Sequence, residues 1–256
     1  MKFAGIIAEY DPFHNGHAWQ LAQAKALGAE RVAVAMSCSL VQRGALPLLP
    51  EAVRTRSALT CGADLVFALP APCACAGAEA FARAGVALLA AAGCDGLVFG
   101  AETPDAALLM EAAELLDSGS YRAALKAQLA GGARSFAAAR QAAAAQLASD
   151  ERVAALLDKP NNNLAVEYCR AIRSLAPRME AYPLPRQGAN HGEALHSAHG
   201  QFASASALRK LWAEGGADAV APYVPEAVFP LYQEAYAAGQ YTDFSAAGRC
   251  ELALLR

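Results

Sequence analysis

Two histidines, His14 and His17, flank Gly16 in the run Phe13-His14-Asn15-Gly16-His17. Imidazoles donate hydrogen bonds near neutral pH, and two of them beside a glycine suit a ligand rich in oxygens that gathers negative charge, above all a polyphosphate. When a nucleophile attacks the α-phosphate of a nucleoside triphosphate, charge builds on the equatorial oxygens and on the departing pyrophosphate. Donors fixed beforehand stabilise that state. The chemistry these residues indicate is nucleotidyl transfer.

The elements around them must place both rings at one point. Residues 3–8 form an apolar run that reads as a buried parallel strand, and Gly16 to Gly28 reads as a helix. The histidines then sit where a strand turns into a helix, whose first turn offers unpaired N–H groups and the positive end of its dipole. Further strands are expected over residues 32–36, 64–69, 96–99 and 179–184, with helices over 50–61, 76–93 and from Pro160 to about Leu175. This alternation predicts an α/β, Rossmann-like doubly wound parallel sheet. Residues 103–158 show no strand signal. Alanine-rich helical patterns over 106–116, 121–129 and 136–147 make them a helical insertion in a domain spanning 1–215. Gly188 to Gly200 reads as a loop, followed by a helix reaching about Ala213. Residues 216–256 read as the helical start of a C-terminal region that is cut short.

Composition bounds the alternatives. Of 256 residues, 55% are hydrophobic and 18% charged, which is globular rather than disordered. No apolar run reaches the roughly 18 residues of a membrane span, and the first strand leaves no room for a leader, so no membrane partner and a cytoplasmic location are expected. The net charge of -3 neither requires nor forbids RNA, because a basic groove can be local. The seven cysteines are odd in number and lie mostly in apolar or helical stretches, so reduced thiols are expected rather than disulfides. Cys73 and Cys75 are the close pair, and no further ligands stand at metal-site spacing, so no bound metal is expected. His196 and His199 read as solvated.

Several ordered blocks resemble the tRNA(Met) cytidine acetate ligase family. They are residues 9–17, Val41-Gln42-Arg43-Gly44, Gly62 to Val66, Phe99-Gly100-Ala101-Glu102, Lys159-Pro160-Asn161-Asn162 and Phe202 to Lys210. The resemblance implies ATP-dependent activation of acetate to acetyl-adenylate, then acetyl transfer to N4 of the wobble cytidine in elongator methionine tRNA. It implies ATP binding by Ile7, Ala8, Glu9, Tyr10, Asp11, Pro12, Phe13, His14, Asn15, Gly16, His17, Ala18, Trp19 and Gln20. Gly100, Asn161, Asn162, Arg186 and Gln187 join that set, as do Ser204 and Ser206. His14, His17 and Arg209 take the catalytic, charge-stabilising role. Magnesium is expected with the triphosphate, and Arg43 faces acetate or phosphate.

The chain departs from the family pattern at Cys38-Ser39 and at Pro50-Glu51, where the family usually carries an acidic or serine residue followed by lysine. Two alternatives therefore stay open: a small-molecule adenylyltransferase without an RNA substrate, and an ATP-binding module with weakened chemistry. The sequence leaves the oligomeric state undetermined.

Overall fold

A computed structural model describes residues 1–186, 195–197 and 200–244. In chain order the elements are β1 (Phe3–Ala8), α1 (Asn15–Ala26), β2 (Arg31–Ser37), α2 (Glu51–Thr60), β3 (Leu65–Leu69), the one-turn α3 (Ala71–Ala74), α4 (Ala78–Ala91) and β4 (Gly96–Ala101). Next come α5 (Ala106–Asp117), α6 (Gly119–Ala130), α7 (Phe136–Leu147), α8 (Glu151–Leu156) and α9 (Pro160–Leu175). The remainder is β5 (Glu180–Pro185), β6 (Leu195–Ser197), β7 (Gly200–Phe202), α10 (Ala205–Val220) and α11 (Phe229–Ala237).

β1 to β5 form the expected parallel sheet in the order β3-β2-β1-β4-β5, and β6 and β7 form an antiparallel pair. The strand order reverses at β1, and in such sheets ligands bind outside the strands' carboxyl ends at the reversal. The turn leaving β1 carries His14.

The chain divides into two compact units, with the boundary inside β1. The first holds Met1–Gly5 and Ala76–Arg186; the second holds Ile6–Cys75 and Gln187–Arg256. In the first unit, Leu97, Val98 and Phe99 of β4 are buried, as are Phe81, Val86 and Leu89 of α4 and Val166 and Ile172 of α9. Gly5 allows a close strand–helix approach there, since a Cβ on it would lie 2.9 Å from Leu89 Cδ1. Glu167 on α9 is buried and accepts from Arg140 at 2.8 Å and Arg170 at 2.7 Å, which gives the carboxylate the partners that burial demands.

In the second unit, β2 is buried from Val32 to Ser37, as expected of a central parallel strand. Leu21 of α1, Leu208 and Trp212 of α10 and Tyr232 of α11 are buried as well. Asp64 ties this unit together by accepting from Val32 N at 2.7 Å and from Lys25 Nζ at 2.7 Å. The lysine contact, against a smaller cost of burial, holds the Asp64 carboxyl below its ordinary range.

Four details differ from the sequence expectation. Part of the expected loop 188–200 is strand, because β6 and β7 pair Leu195 opposite Phe202, and two three-residue strands carry too little apolar alternation to be read. The short α8, capped by Asp150, was also not expected. The helix expected over 76–93 starts at Ala78, with α3 as a separate turn before it. The helix expected to stop near Ala213 continues as α10 to Val220 across a kink at Gly216, where a φ of 68° and the 2.5 Å that a Cβ would leave to Tyr236 Cζ exclude a side chain. Among the described residues, no helix is long and apolar enough to cross a membrane.

Candidate functional site

In the second unit, the chain leaves β1 through Glu9, Tyr10, a cis Asp11-Pro12 bond and Phe13. Tyr10 has φ of +50°, a left-handed conformation rare outside glycine. Complete burial holds it there, with its ring 4.9 Å from that of Phe13 and 4.8 Å from that of His17. Desolvation drives its phenol far above the ordinary value. Ile7 and Phe13 are buried in the core, and Pro12 is buried beside them.

The two histidines cap α1 together. His14 Nδ1 accepts from Gly16 N at 3.0 Å, and His17 Nδ1 accepts from His14 N at 3.3 Å, a reciprocal capping box made by two imidazoles. An Nδ1 that accepts carries no proton, so in each neutral ring the N–H is at Nε2. The rings stack with centroids 3.8 Å apart and planes inclined at 23°. Gly16 is required by this arrangement, because a Cβ there would stand 2.9 Å from His14 Cε1. Farther along α1, Asn15, Ala18 and Trp19 line a groove of about 510 Å³ with Ala22, Gln23, Val224, Pro225 and Glu226.

Three arginines surround this turn in the same unit. Asp11 is buried; its Oδ1 accepts from Leu48 N at 2.6 Å, and its Oδ2 from Arg43 Nη2 at 2.6 Å and Arg209 Nη1 at 3.1 Å. Arg209 is on α10, whose first turn is capped by Ser204 accepting from Ala207 N at 3.2 Å; Ser204 and Ser206 hydroxyls lie 3.0 Å apart. Burial holds the Arg209 guanidinium below its ordinary value, against the opposing pull of Asp11.

The third arginine, Arg54 on α2, is fully buried. It donates to Leu49 O at 3.0 Å, Glu9 O at 2.7 Å and Ser37 O at 2.6 Å, and also to Cys38 O. One guanidinium thus fastens the segments that follow β1 and β2. Desolvation lowers its value. Glu9 Oε1 accepts from Gln42 N at 2.6 Å, which fixes the loop bearing Arg43. Glu51 opens α2 behind Pro50, and the buried Cys38 thiol donates to Met36 O at 3.2 Å; burial, and after it the Glu51 carboxylate, pushes this thiol up to about 11. The six described cysteines are free thiols.

The first unit holds another polar cluster, at the N-terminus of α9. Glu102 accepts from Asn162 N at 2.7 Å, Asn161 N at 3.2 Å and Asn161 Nδ2 at 2.6 Å, so a protein carboxylate occupies the place where a helix start would take an anion. Arg186 donates to Asn161 Oδ1. Asn162 is buried with both ends of its amide on Thr103: its Oδ1 accepts from Thr103 N at 2.9 Å, and its Nδ2 donates to Thr103 Oγ1 at 3.1 Å. Gly100, near the end of β4, has Arg186 Cγ 3.5 Å from where a Cβ would stand, an ordinary contact. The structure therefore brings His14, His17, Asp11, Arg209, Ser204 and Ser206 together in one unit, and Gly100, Asn161, Asn162 and Arg186 in the other. Gln187 lies outside the described residues, as does His199.

A family model described as HIGH nucleotidyl transferase matches residues 1–252. The chain belongs to that family. Among curated HIGH-family relatives, the tRNA(Met) cytidine acetate ligase of Syntrophotalea carbinolica is 41% identical over 218 residues, covering 84% of this chain and 52% of that protein. The ligase of the same name from Caldanaerobacter subterraneus subsp. tengcongensis is 35% identical over 244 residues, covering 94% and 60%. The chain spans a little over half the length of these relatives. Among solved structures, Thermotoga maritima TmcAL bound with alpha-thio ATP superposes with a TM-score of 0.84 at 30% identity, covering 94% of this chain and 57% of that one. Its apo form gives 0.86 at 31% identity.

In this HIGH-family chain, the sequence reading did not include Arg54. A helical arginine is ordinarily solvated, and only the four carbonyls converging on it show otherwise. Glu102 was part of a matching block, but its grip on α9 becomes visible only once β4 and α9 are folded.

Proposed function

We propose that this chain activates acetate with ATP to form acetyl-adenylate and pyrophosphate, after which N4 of the wobble cytidine of elongator methionine tRNA attacks the acyl carbon and AMP leaves. The observation that carries the reading is the pair of imidazoles whose Nδ1 atoms accept backbone N–H groups, which makes Nε2 the donor of each ring. The names of the relatives, and the ATP analogue bound to the T. maritima protein, support ATP and this tRNA as substrates.

In the first step an acetate oxygen attacks the α-phosphorus, and the bond from that phosphorus to the β-phosphate's bridging oxygen breaks. Pyrophosphate leaves. Acetate is already a nucleophile, so no histidine need take a proton. His14, His17 and Arg209 supply positioned positive or donor groups as charge moves onto the leaving phosphates. Ser204 and Ser206, at a capped helix start, suit phosphate oxygens in the same unit. Asn161, Gly100 and Arg186 suit ribose or base recognition. The proposed setting is cytoplasmic, where ATP and tRNA are both present.

Magnesium is expected with the triphosphate, but the residues here do not build a cage for it. Among the described residues no group of three or more His, Cys, Asp or Glu could hold a metal. Asp11 and Glu9 are engaged by arginines and a backbone N–H. The phosphates themselves would carry the ion.

The test is pyrophosphate release from ATP, with acetate, with phosphate-bearing acceptors, and with unmodified methionine tRNA. Acetate-dependent release, and acetylated cytidine when tRNA is added, are expected. Release only with a phosphate acceptor would instead support a small-molecule adenylyltransferase, the reading favoured by Glu51 standing where the family usually has lysine. ATP binding with no release under any condition would overturn both.

A further inference from the structure

We propose that Asp11 is a positioning residue that never touches the nucleotide, and that its buried carboxylate holds Arg43 and Arg209 side by side as a two-guanidinium clamp for an oxyanion. The inference deepens the ATP reading and rests on it for the identity of the anion. The Asp11 side chain is 1% exposed, against 18% for Arg209 and 42% for Arg43. Both of its oxygens are taken: Oδ1 by Leu48 N, Oδ2 by the two arginines, while its backbone carbonyl accepts from Arg209 Nη1 at 2.5 Å. A carboxylate so enclosed has no oxygen to offer a ligand, and its charge would repel a phosphate that met it directly.

The arginines come from distant parts of the chain, a loop after β2 and the first turns of α10, yet share one carboxylate oxygen. Two guanidiniums brought so close repel each other, and the effect of Arg43 on Arg209 is to make its charge harder to keep. One carboxylate between them offsets that repulsion and still leaves one net positive charge. Glu9 also acts on Arg209, but its Oε1 is held by Gln42 N. Arg43, the more exposed partner, engages Asp11 through Nη2, a bond that leaves the other N–H groups of its fork for the oxyanion to engage.

The proposal makes a prediction whose sign is opposite to simple electrostatics. If Asp11 merely sat near the anion, Asp11→Asn would remove a repulsion and tighten binding. If it positions the clamp, the same change lets the arginines splay and weakens binding. Calorimetry with a non-hydrolysable ATP analogue is expected to show Kd rising by about 10-fold or more in Asp11→Asn. An unchanged or lower Kd overturns the proposal.

Should Asp11→Asn fail to fold by its thermal melt, the arginines give an independent reading with Asp11 intact. With either one removed, the other is left in a one-to-one pair with the carboxylate and the net charge is gone. Arg43→Gln and Arg209→Gln are then expected to raise Kd by similar factors, within about 3-fold of one another, because each leaves the same neutral pair. A loss of affinity in one of these variants with none in the other means that the arginines do not act as a pair and overturns the clamp. Inorganic pyrophosphate is the second probe. Native protein that binds pyrophosphate but not the nucleotide counts against the ATP reading and supports the clamp, whereas binding neither overturns the clamp.

Discussion

In the turn between β1 and α1, the protein's own hydrogen bonds take one nitrogen of each imidazole and thereby make the other a donor. In the turn leading into α9, they take both ends of each amide: Asn161 is held between Glu102 and Arg186, and Asn162 lies wholly on Thr103. In the first, the ring hydrogens are fixed at Nε2, the form that suits an oxygen-rich group. The second is wired to itself, with a carboxylate already seated on its helix start, so a ligand must exchange bonds there. Residues assigned to one ligand by family pattern thus differ in kind. The histidines suit stabilisation of developing charge, whereas the asparagine cluster suits recognition in the ground state.

The largest expected effect breaks or confirms that division directly. His17→Ala is expected to lower the turnover of acetate-dependent pyrophosphate release by about 10²- to 10³-fold while changing the ATP-analogue Kd by less than about 3-fold. Asn161→Ala is expected to do the reverse, raising Kd with turnover at saturation little changed. Single-turnover kinetics beside calorimetry reads both. Equal losses in Kd and turnover for His17→Ala would erase the distinction.

A middle-sized effect comes from the two glycines. Gly16→Ala puts a Cβ 2.9 Å from His14 Cε1 and 3.1 Å from its Nδ1, so the ring must leave its capping position. Turnover is expected to fall by about 10-fold with little loss of stability, since alanine is the better helix former by about 0.5–1 kcal/mol. Gly100→Ala meets only an ordinary 3.5 Å contact within the protein. Any loss of ATP affinity in that variant therefore reports a nucleotide close to the backbone, and unchanged affinity would remove Gly100 from the site.

What the sequence made legible follows the same contrast. Strands β1, β2 and β4 were readable because a central parallel strand is an unbroken apolar run, and the histidine turn because a two-residue gap at a strand–helix junction is a local pattern. Arg54, Asp11 and Glu102 were harder to read. Arg54 gathers carbonyls from residues 9, 37, 38 and 49, and Asp11 meets a partner 198 positions away. Their roles belong to tertiary convergence, which leaves no periodicity. The β6–β7 pair was missed for a different reason, being too short to show alternation.

The smallest effect tests whether the α9 cluster is as self-contained as its bonds suggest. Lys159 caps this helix with no side-chain bond, so Glu102 alone supplies an acceptor to the first N–H groups of Asn161 and Asn162. Glu102→Gln keeps the shape and one acceptor oxygen but loses the charge that complements the helix dipole and the second oxygen that completes the fork. Stability is expected to fall by about 1–2 kcal/mol, read as a lower midpoint in denaturant at unchanged slope. Turnover per folded molecule is expected to hold within about 2-fold, because both oxygens of Glu102 are spent on the first turn of α9. A fall in turnover as large as that of Gly16→Ala, with stability intact, would mean that the carboxylate acts on the reacting groups, and the two turns would then have to be read as one machine rather than as a presenting turn and a recognising one.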